Sequence, residues 1–454
     1  MNRVRRCIHV FSAAAIAAVL SAPPAEAAVT LGQEQAVAMG LGRHPAVRAA
    51  GHGIEAARAR TSQTHTAWLP RVKVEGSYMA IGPVQDMVID TGIAPPPPFG
   101  GAPIIIEKEI GSLHNAAVGV SAAWRAFEAG ATAVRTEAAE ALERAAEADA
   151  EQQRVQIAYA VRAAYLAARF FQELDTTTGA SLALARAELR EEEARRAAGL
   201  GSDLDLARVR MRAAELEARA GQASQERARA QTTLRLLLGL EPGAELRLSD
   251  DLKTLAGAPL GPAPRTDAHP LRRTVAALEQ AAERDRSLKW RAYWPTLDVV
   301  GAVKYQYPKN YFETDQAGPT YSAGAVLTWI AFDGDLLRRQ IAESDAKLAE
   351  LYAKEQAADE EIRRQLADAE AQIRTSETAA SAAERTLEAA QIYERAARAA
   401  LGAGAGTALE LRKATDGVDQ ARLAWLKACF DGALARAAYL RAGGRARIEE
   451  EKGW

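Results

Sequence analysis

The residues of this chain that could do chemistry are few and poorly placed for it. Its six histidines are scattered, at His9, His44, His52, His65, His114 and His269. His44 and His52 lie eight positions apart with no cysteine or aspartate companion at ligand spacing, so no metal site is expected. His44 and His269 each stand before a proline, which suits the opening of a helix with Pro in its first turn. The glycine-rich run from Gly402 to Thr407 lacks the lysine of a phosphate-binding loop and follows a helical pattern, not a strand. Neither a nucleophile elbow nor a cysteine–histidine pair occurs. The chain is therefore expected to be no enzyme and to carry no cofactor.

Function must then lie in architecture. Hydrophobic residues make up 48% of the 454 positions but aromatics only 6%, so alanine supplies much of the apolar count. Small apolar residues mixed with 26% charged ones suit long helices packed closely side by side. A formal net charge of -2 argues against a nucleic-acid partner, which would favour a basic face. At the N-terminus, Arg3, Arg5 and Arg6 precede an apolar stretch from Val10 to Leu20 and an Ala25-Glu26-Ala27 cleavage pattern. The mature chain is expected to begin near Ala28, after export. Cys7 lies ahead of the apolar stretch, so it is not the lipid-modified cysteine that would follow a cleavage site. Cys429 is then alone, and no intrachain disulfide can form. No later run approaches the roughly 18 apolar residues of a membrane helix, which leaves a periplasmic, secreted or outer-membrane β-barrel product.

The chain contains itself twice. Pro45 and Pro270, Pro70 and Pro295, and Gly76 and Gly301 are each 225 apart. Further on, Gly119, Trp124 and Phe127 match Gly324, Trp329 and Phe332 at 205, as Ser202, Leu204 and Leu206 match Thr407, Leu409 and Leu411. The offset shortens because the first copy carries an extra Pro/Gly-rich stretch, GPVQDMVIDTGIAPPPPFGGAPIIIEKEIG, whose proline run cannot join a sheet ladder. The expected organisation is an export signal at 1–27, a first repeat at 28–240, a connector at 241–266, a second repeat at 267–441 and a tail at 442–454. Each repeat reads as a helix (31–68 or 267–294, the first opened by a Thr30/Gln33 capping box), then two strands at about 71–81 and 115–126, or 296–307 and 320–331. A long helix follows at 131–198 or 335–401, then a glycine turn and a return helix. At 1.5 Å per residue each long helix would extend about 100 Å.

The strands alternate in character. Leu297, Val299, Val303, Tyr305 and Tyr307 oppose Asp298, Lys304 and Gln306, while Val72, Val74 and Tyr78 oppose Arg71, Lys73 and Glu75. A soluble four-stranded sheet packed on a helix would alternate in the same way. In lipid, however, every backbone polar group must be paired, which requires a closed barrel of at least about eight strands. Four strands per chain cannot close, so copies must share one barrel, and three copies would supply about twelve. In the second long helix Ile341, Leu348, Tyr352, Ile362, Leu366, Ile373, Leu387 and Ile392 recur at helical spacings. That narrow seam fits either a helical tunnel or a solvated coiled-coil rod.

The chain resembles the TolC-like outer-membrane efflux and secretion factors. The resemblance rests on Thr30-Leu31, Glu34 and Ala36 before His44-Pro45; on Trp68-Leu69-Pro70 and Trp294-Pro295-Thr296-Leu297; and on Trp329 to Phe332 with Asp333-Gly334. The turns Gly199 to Leu206 and Gly402 to Leu411 complete it, so that it covers essentially the whole mature chain. It implies a mostly α protein with a β-barrel contribution: a homotrimer with a twelve-stranded outer-membrane barrel continued by a twelve-helix periplasmic tunnel. It implies a periplasmic adaptor and an inner-membrane efflux pump or ABC transporter, so that the chain would be the exit duct of a tripartite efflux pump or type I secretion system in a Gram-negative outer membrane. On this resemblance the adaptor-docking tips are Gly199, Leu200, Gly201 and Ser202 with Gly404, Ala405, Gly406 and Thr407. The family's acidic entrance ring would place Glu410 first; Lys413 stands where a second acid is expected, a departure, and Asp205 is the counterpart from the first repeat. The same turns and acids also read as plain helix caps and solvated surface groups. A periplasmic coiled-coil adaptor without a barrel is the alternative reading of the whole chain; a diffusion porin is disfavoured by its helical bulk.

Overall fold

The protein is described by a computed structural model covering residues 29–447, except 97, 99, 111, 242, 262–263 and 311–315. The export signal expected at 1–27, and 448–454 of the expected tail, lie outside the described residues. The first half of the chain runs β1 (Val29–Leu31), α1 (Gln33–Arg43), α2 (Pro45–His65), β2 (Arg71–Ala80), β3 (Gln85–Asp90), β4 (Ile105–Ile110), β5 (His114–Phe127), α3 (Ala131–Ala197) and α4 (Asp203–Leu238). The second runs β6 (Leu246–Leu248), α5 (Leu252–Ala256), α6 (Pro270–Arg291), β7 (Thr296–Tyr307), β8 (Gly318–Thr328), α7 (Leu336–Gly402) and α8 (Ala408–Ala442). These elements form two compact units. One takes the chain up to Gly42, Ala160–Ala258 and Ser376–Leu434; the other takes Arg43–Tyr159, Pro259–Thr375 and the chain from Ala435.

The sheet belongs to the second of these units. Its order is β2-β5-β7-β8, antiparallel throughout. The register makes Val74, Val120, Val303 and Tyr321 one row across all four strands. The neighbouring row on the opposite face is Glu75, Gly119, Lys304 and Thr320. One face is thus apolar from edge to edge, and none of the described residues covers it: Val74 is 75% and Tyr321 89% exposed. Burying such a side chain is worth roughly 1.5–3 kcal/mol, so a whole face left in water is a large unsatisfied demand. The outer edges of β2 and β8 have no partner strand among the described residues. Gly119 is required where it stands: a Cβ there would lie 2.6 Å from both Lys304 Cγ and the Val303 carbonyl oxygen. At one end of the sheet the two repeats use one device twice. The indole of Trp124 donates to the Trp68 carbonyl at 3.0 Å, and that of Trp329 to the Tyr293 carbonyl at 3.1 Å.

Three local expectations are corrected. Thr30 lies in β1 and does not cap α1; the first helical N–H, on Gln33, instead donates to Asp250 Oδ2 at 2.6 Å. The helix expected over 31–68 is broken at His44, which is held extended (φ -66°, ψ 129°), as the residue before a proline prefers. Its Nδ1 then accepts from Ala46 N–H, and His269 repeats this with Leu271 N–H, both at 3.2 Å. The Pro/Gly-rich insertion is not wholly loop: β3 and β4 pair as an antiparallel ribbon, because the Val88-Ile89 and Ile105-Ile106 runs flanking the prolines are β-branched and favour extended backbone. Pro95 and Pro96 stay outside that ladder.

In the other unit the chain start is tied onto α3. β1 pairs in parallel with β6. Arg162, with only 2% of its side chain exposed, forks Glu34 through Nε and Nη2 at 2.9–3.1 Å. Tyr165 donates to the Leu31 carbonyl and accepts from Asp250 N–H. Gly40 lets α1 approach α3 there, since a Cβ would sit 2.7 Å from Val161 Cγ2. Next to these ties, Leu166, Leu252, Leu426 and Cys429 form a buried cluster, with the rings of Phe170 and Phe430 packed beside it.

Candidate functional site

The two glycine turns have one geometry. Helix α3 ends with Gly199 at φ +77° and α7 with Gly404 at φ +74°, a backbone that favours glycine. Leu200 N–H reaches back to the Arg195 carbonyl and Ala405 N–H to the Ala400 carbonyl, both at 2.9 Å, so each turn satisfies the last free carbonyls of its helix. Gly201 and Gly406 then pass close to the helix they have just left; a Cβ would come within 3.1 Å of Arg196 N and of Leu401 N. Ser202 caps α4 by accepting from Leu204 N–H, and Thr407 caps α8 by accepting from Glu410 N–H, each at 3.2 Å. Leu200, Leu204 and Leu409 are exposed at these turns. All eight tip residues expected from the sequence therefore sit in, or cap, two matching reversals that present apolar side chains to the outside.

The tips differ in charge. At the first, Arg196 clamps Asp203 with Nε and Nη2 at 2.6 and 3.1 Å. That guanidinium holds the Asp203 carboxyl below the usual carboxylate range. The second tip has no ionisable side chain between Arg398 and Glu410.

Asp205 and Glu410 occupy equivalent places in the first turns of α4 and α8, where carboxylates offset the positive end of a helix by about 0.3–1 kcal/mol. Asp205 also pairs with Arg208 at 3.3 Å. Glu410 and Lys413 are exposed, and neither joins an ion pair among the described residues. Geometry gives both acids a helix-start role and does not bring Asp205, Glu410 and Lys413 together as a cluster.

Sequence reasoning missed the ties behind the tips. Arg212 on α4, 15% exposed, donates to Asp416 on α8 at 2.5 Å and to Glu188 on α3 at 3.4 Å. Ser181 on α3 donates to Asp419 Oδ2 on α8 at 2.6 Å. These bonds join the first repeat to the second across 204 and 238 positions, a separation with no local pattern to betray it. Two helix-interior glycines, Gly179 and Gly417, stand next to these ties with nothing within 4 Å of where a Cβ would stand, so no packing demands them. Among the described residues no group of His, Cys, Asp and Glu is arranged to hold a metal ion, and no helix is long and apolar enough to cross a membrane.

A family model described as outer membrane efflux protein matches residues 37–240 and 269–439. Several solved structures share the fold. The outer-membrane channel OprN is 21% identical with a TM-score of 0.70, over 91% of this chain and 89% of that one. VceC, an outer membrane protein of Vibrio cholerae, is 16% identical with a TM-score of 0.69, over 91% of this chain and 96% of that one. The CmeC outer membrane channel of Campylobacter jejuni is 14% identical with a TM-score of 0.71, over 91% of this chain and 85% of that one. No curated protein sequence matches significantly.

Proposed function

The chain belongs to the outer membrane efflux protein family, and from that premise we propose how its parts make an outer-membrane efflux channel. Three copies pool their four-stranded sheets into one twelve-stranded barrel, with the apolar face of the Val74–Tyr321 row toward outer-membrane lipid and the Glu75–Lys304 row toward the lumen. The single observation that carries this is the sheet itself: two edges and an apolar face for which the described residues supply no partner strand and no cover. Pairing those edges between copies satisfies their backbone groups, and lipid then covers the apolar face. The long helices continue the wall as a twelve-helix tunnel through the periplasm. The expected export signal without a lipid-bearing cysteine fits that location.

The channel is a passive duct in a tripartite efflux pump or a type I secretion system. Its tips, Gly199 to Ser202 and Gly404 to Thr407, meet a periplasmic adaptor, where the reversed backbone and the exposed Leu200 and Leu409 offer close approach and apolar contact. An inner-membrane pump or ABC transporter supplies the energy. Glu410 and Asp205, at the starts of the return helices, bias the entrance toward cations by focusing field, and Lys413 weakens that bias. Fractionation of washed membranes tests the reading. Recovery from the outer membrane as an SDS-resistant trimer that dissociates on heating is expected; a soluble monomer would mean a periplasmic coiled-coil protein instead.

A further inference from the structure

The two repeats open their α2 and α6 helices identically, with a histidine before a proline, but only one of these histidines is covered. His44 is partly open to solvent, whereas His269 is 5% exposed. The cover is the turn that ends α8. Gly443 N–H bonds the Tyr439 carbonyl, Gly444 N–H the Arg441 carbonyl and Arg445 N–H the Leu440 carbonyl, with Gly444 at φ +70°. This turn lies directly on the start of α6: a Cβ on Gly444 would sit 2.6 Å from Pro270 Cδ and 2.9 Å from His269 Cδ2, and one on Gly443 2.9 Å from Pro264 Cβ. A left-handed glycine pressed on an imidazole leaves no path for water to the ring from that side.

From this arrangement we infer that the Gly443–Arg445 turn is a proton-released latch: protonation of His269 drives the C-terminal turn off the start of α6. Three features of the site disfavour the proton, and of these the burial is the one that opening of the turn relieves. Nδ1 of His269 already accepts from Leu271 N–H, so a proton placed there removes the cap and sets two donors face to face. The ring stands at the positive end of a 22-residue helix, which disfavours a cation. Burial under the glycines disfavours charge as well, and it lowers the imidazole pKa from its ordinary value.

The charged groups on the surrounding elements are engaged away from the His269 ring. Asp267 is forked by Arg265; Arg272 pairs with Glu355 and Asp359 of α7; Arg273 pairs with Glu151 of α3. On α8, Arg441 lies over the Tyr159 ring, and Arg445 reaches the connector near Gly261. Burial is thus the cause left acting on His269. Because the docked pKa lies below that of the open form, docking is most stable above the ordinary histidine range and weakens as pH falls through it. Within that window each pH unit raises the opening constant by up to about tenfold.

Amide hydrogen exchange of the intact protein in detergent at pH 7.5 and pH 5, corrected for intrinsic chemical rates, tests this. The Gly444 and Arg445 amides should exchange severalfold faster at pH 5 in the wild type. In H269N, where asparagine keeps a helix cap but does not titrate, the difference should vanish. In G444A, where the added methyl cannot fit, the turn should be open at both pH values. H44N, at the uncovered counterpart, should behave as wild type. A wild-type turn equally protected at both pH values, a pH effect that survives in H269N, or a G444A turn that still closes at pH 7.5 would each overturn the inference.

Discussion

Replacing Arg212 with methionine keeps most of the side-chain volume and removes the charge that joins three helices behind the tips. The wild-type guanidinium is mostly out of water and donates to both Asp416 and Glu188, which are themselves about half and one-third exposed. An exposed pair would be worth up to about 1 kcal/mol and a buried one broken on one side about 3–5 kcal/mol. This tie lies between, and with its second acceptor we take the loss as about 2 kcal/mol. At about 1.4 kcal/mol per factor of ten, the untied state then gains roughly 30-fold. If the tips form the entrance of the duct, Arg212→Met should raise the open probability of single channels in planar bilayers at low transmembrane voltage. Asp416→Ala, which leaves the Glu188 contact, should do less. Exchanging the charges, Arg212→Asp with Asp416→Arg, should restore part of the closed behaviour. Currents unchanged in all three variants, with trimers still assembled, would refute the assignment of this tie to the entrance.

Gly119→Ala should prevent assembly, because its Cβ meets a backbone carbonyl at 2.6 Å and overpacking of that kind costs about 1–3 kcal/mol. Gly324→Ala, with nothing within 4 Å, should assemble normally, as seen by heat-sensitive trimers on gels. Glu410→Ala should lower the cation preference of single-channel currents; an unchanged reversal potential in a salt gradient would remove Glu410 from the entrance. Burial, with the nearby Asp251 and Glu384 charges adding and Lys253 opposing, pushes the Cys429 thiol up to about 11. Native protein should therefore resist maleimide at pH 8 and label only on unfolding. The stability this neutral thiol contributes is present below the ordinary thiol range and is lost as pH rises toward about 11, so the thermal midpoint should fall there less steeply in Cys429→Ser.

The parts of this molecule that were legible in its sequence are those fixed by local backbone chemistry. Prolines and glycines punctuate both repeats at matching places, 225 apart early in the repeat and 205 later, because each forces a turn, a cap or a close approach, as at Pro45 and Pro270 or Gly199 and Gly404. The β7 alternation is equally local, since side chains on a strand point to opposite faces. What stayed hidden depends on residues far apart in the chain. Val29–Leu31 is too short to announce a strand, and its partner Leu246–Leu248 lies more than two hundred positions away. Arg162 stood in the apolar run VQIAYAVRAAYLAA, a signal that a buried charge needed a partner, but nothing local pointed to Glu34. The β3–β4 ribbon was masked by the prolines at its tip, which dominated the composition of the whole insertion. At the tips the glycine turns were readable, whereas Arg196–Asp203 and Arg212–Asp416 required the helices to be brought side by side.

The sharing of one barrel between copies is open to direct measurement. In a Cys429→Ser background, one cysteine on the outer edge of β2 and a second scanned along the outer edge of β8 should form disulfides only between different chains. The expected product in isolated outer membranes is a covalent trimer that survives boiling in SDS and collapses to monomer on reduction. Monomers alone at every β8 position, from protein that still reaches the outer membrane, would contradict a barrel built from three chains.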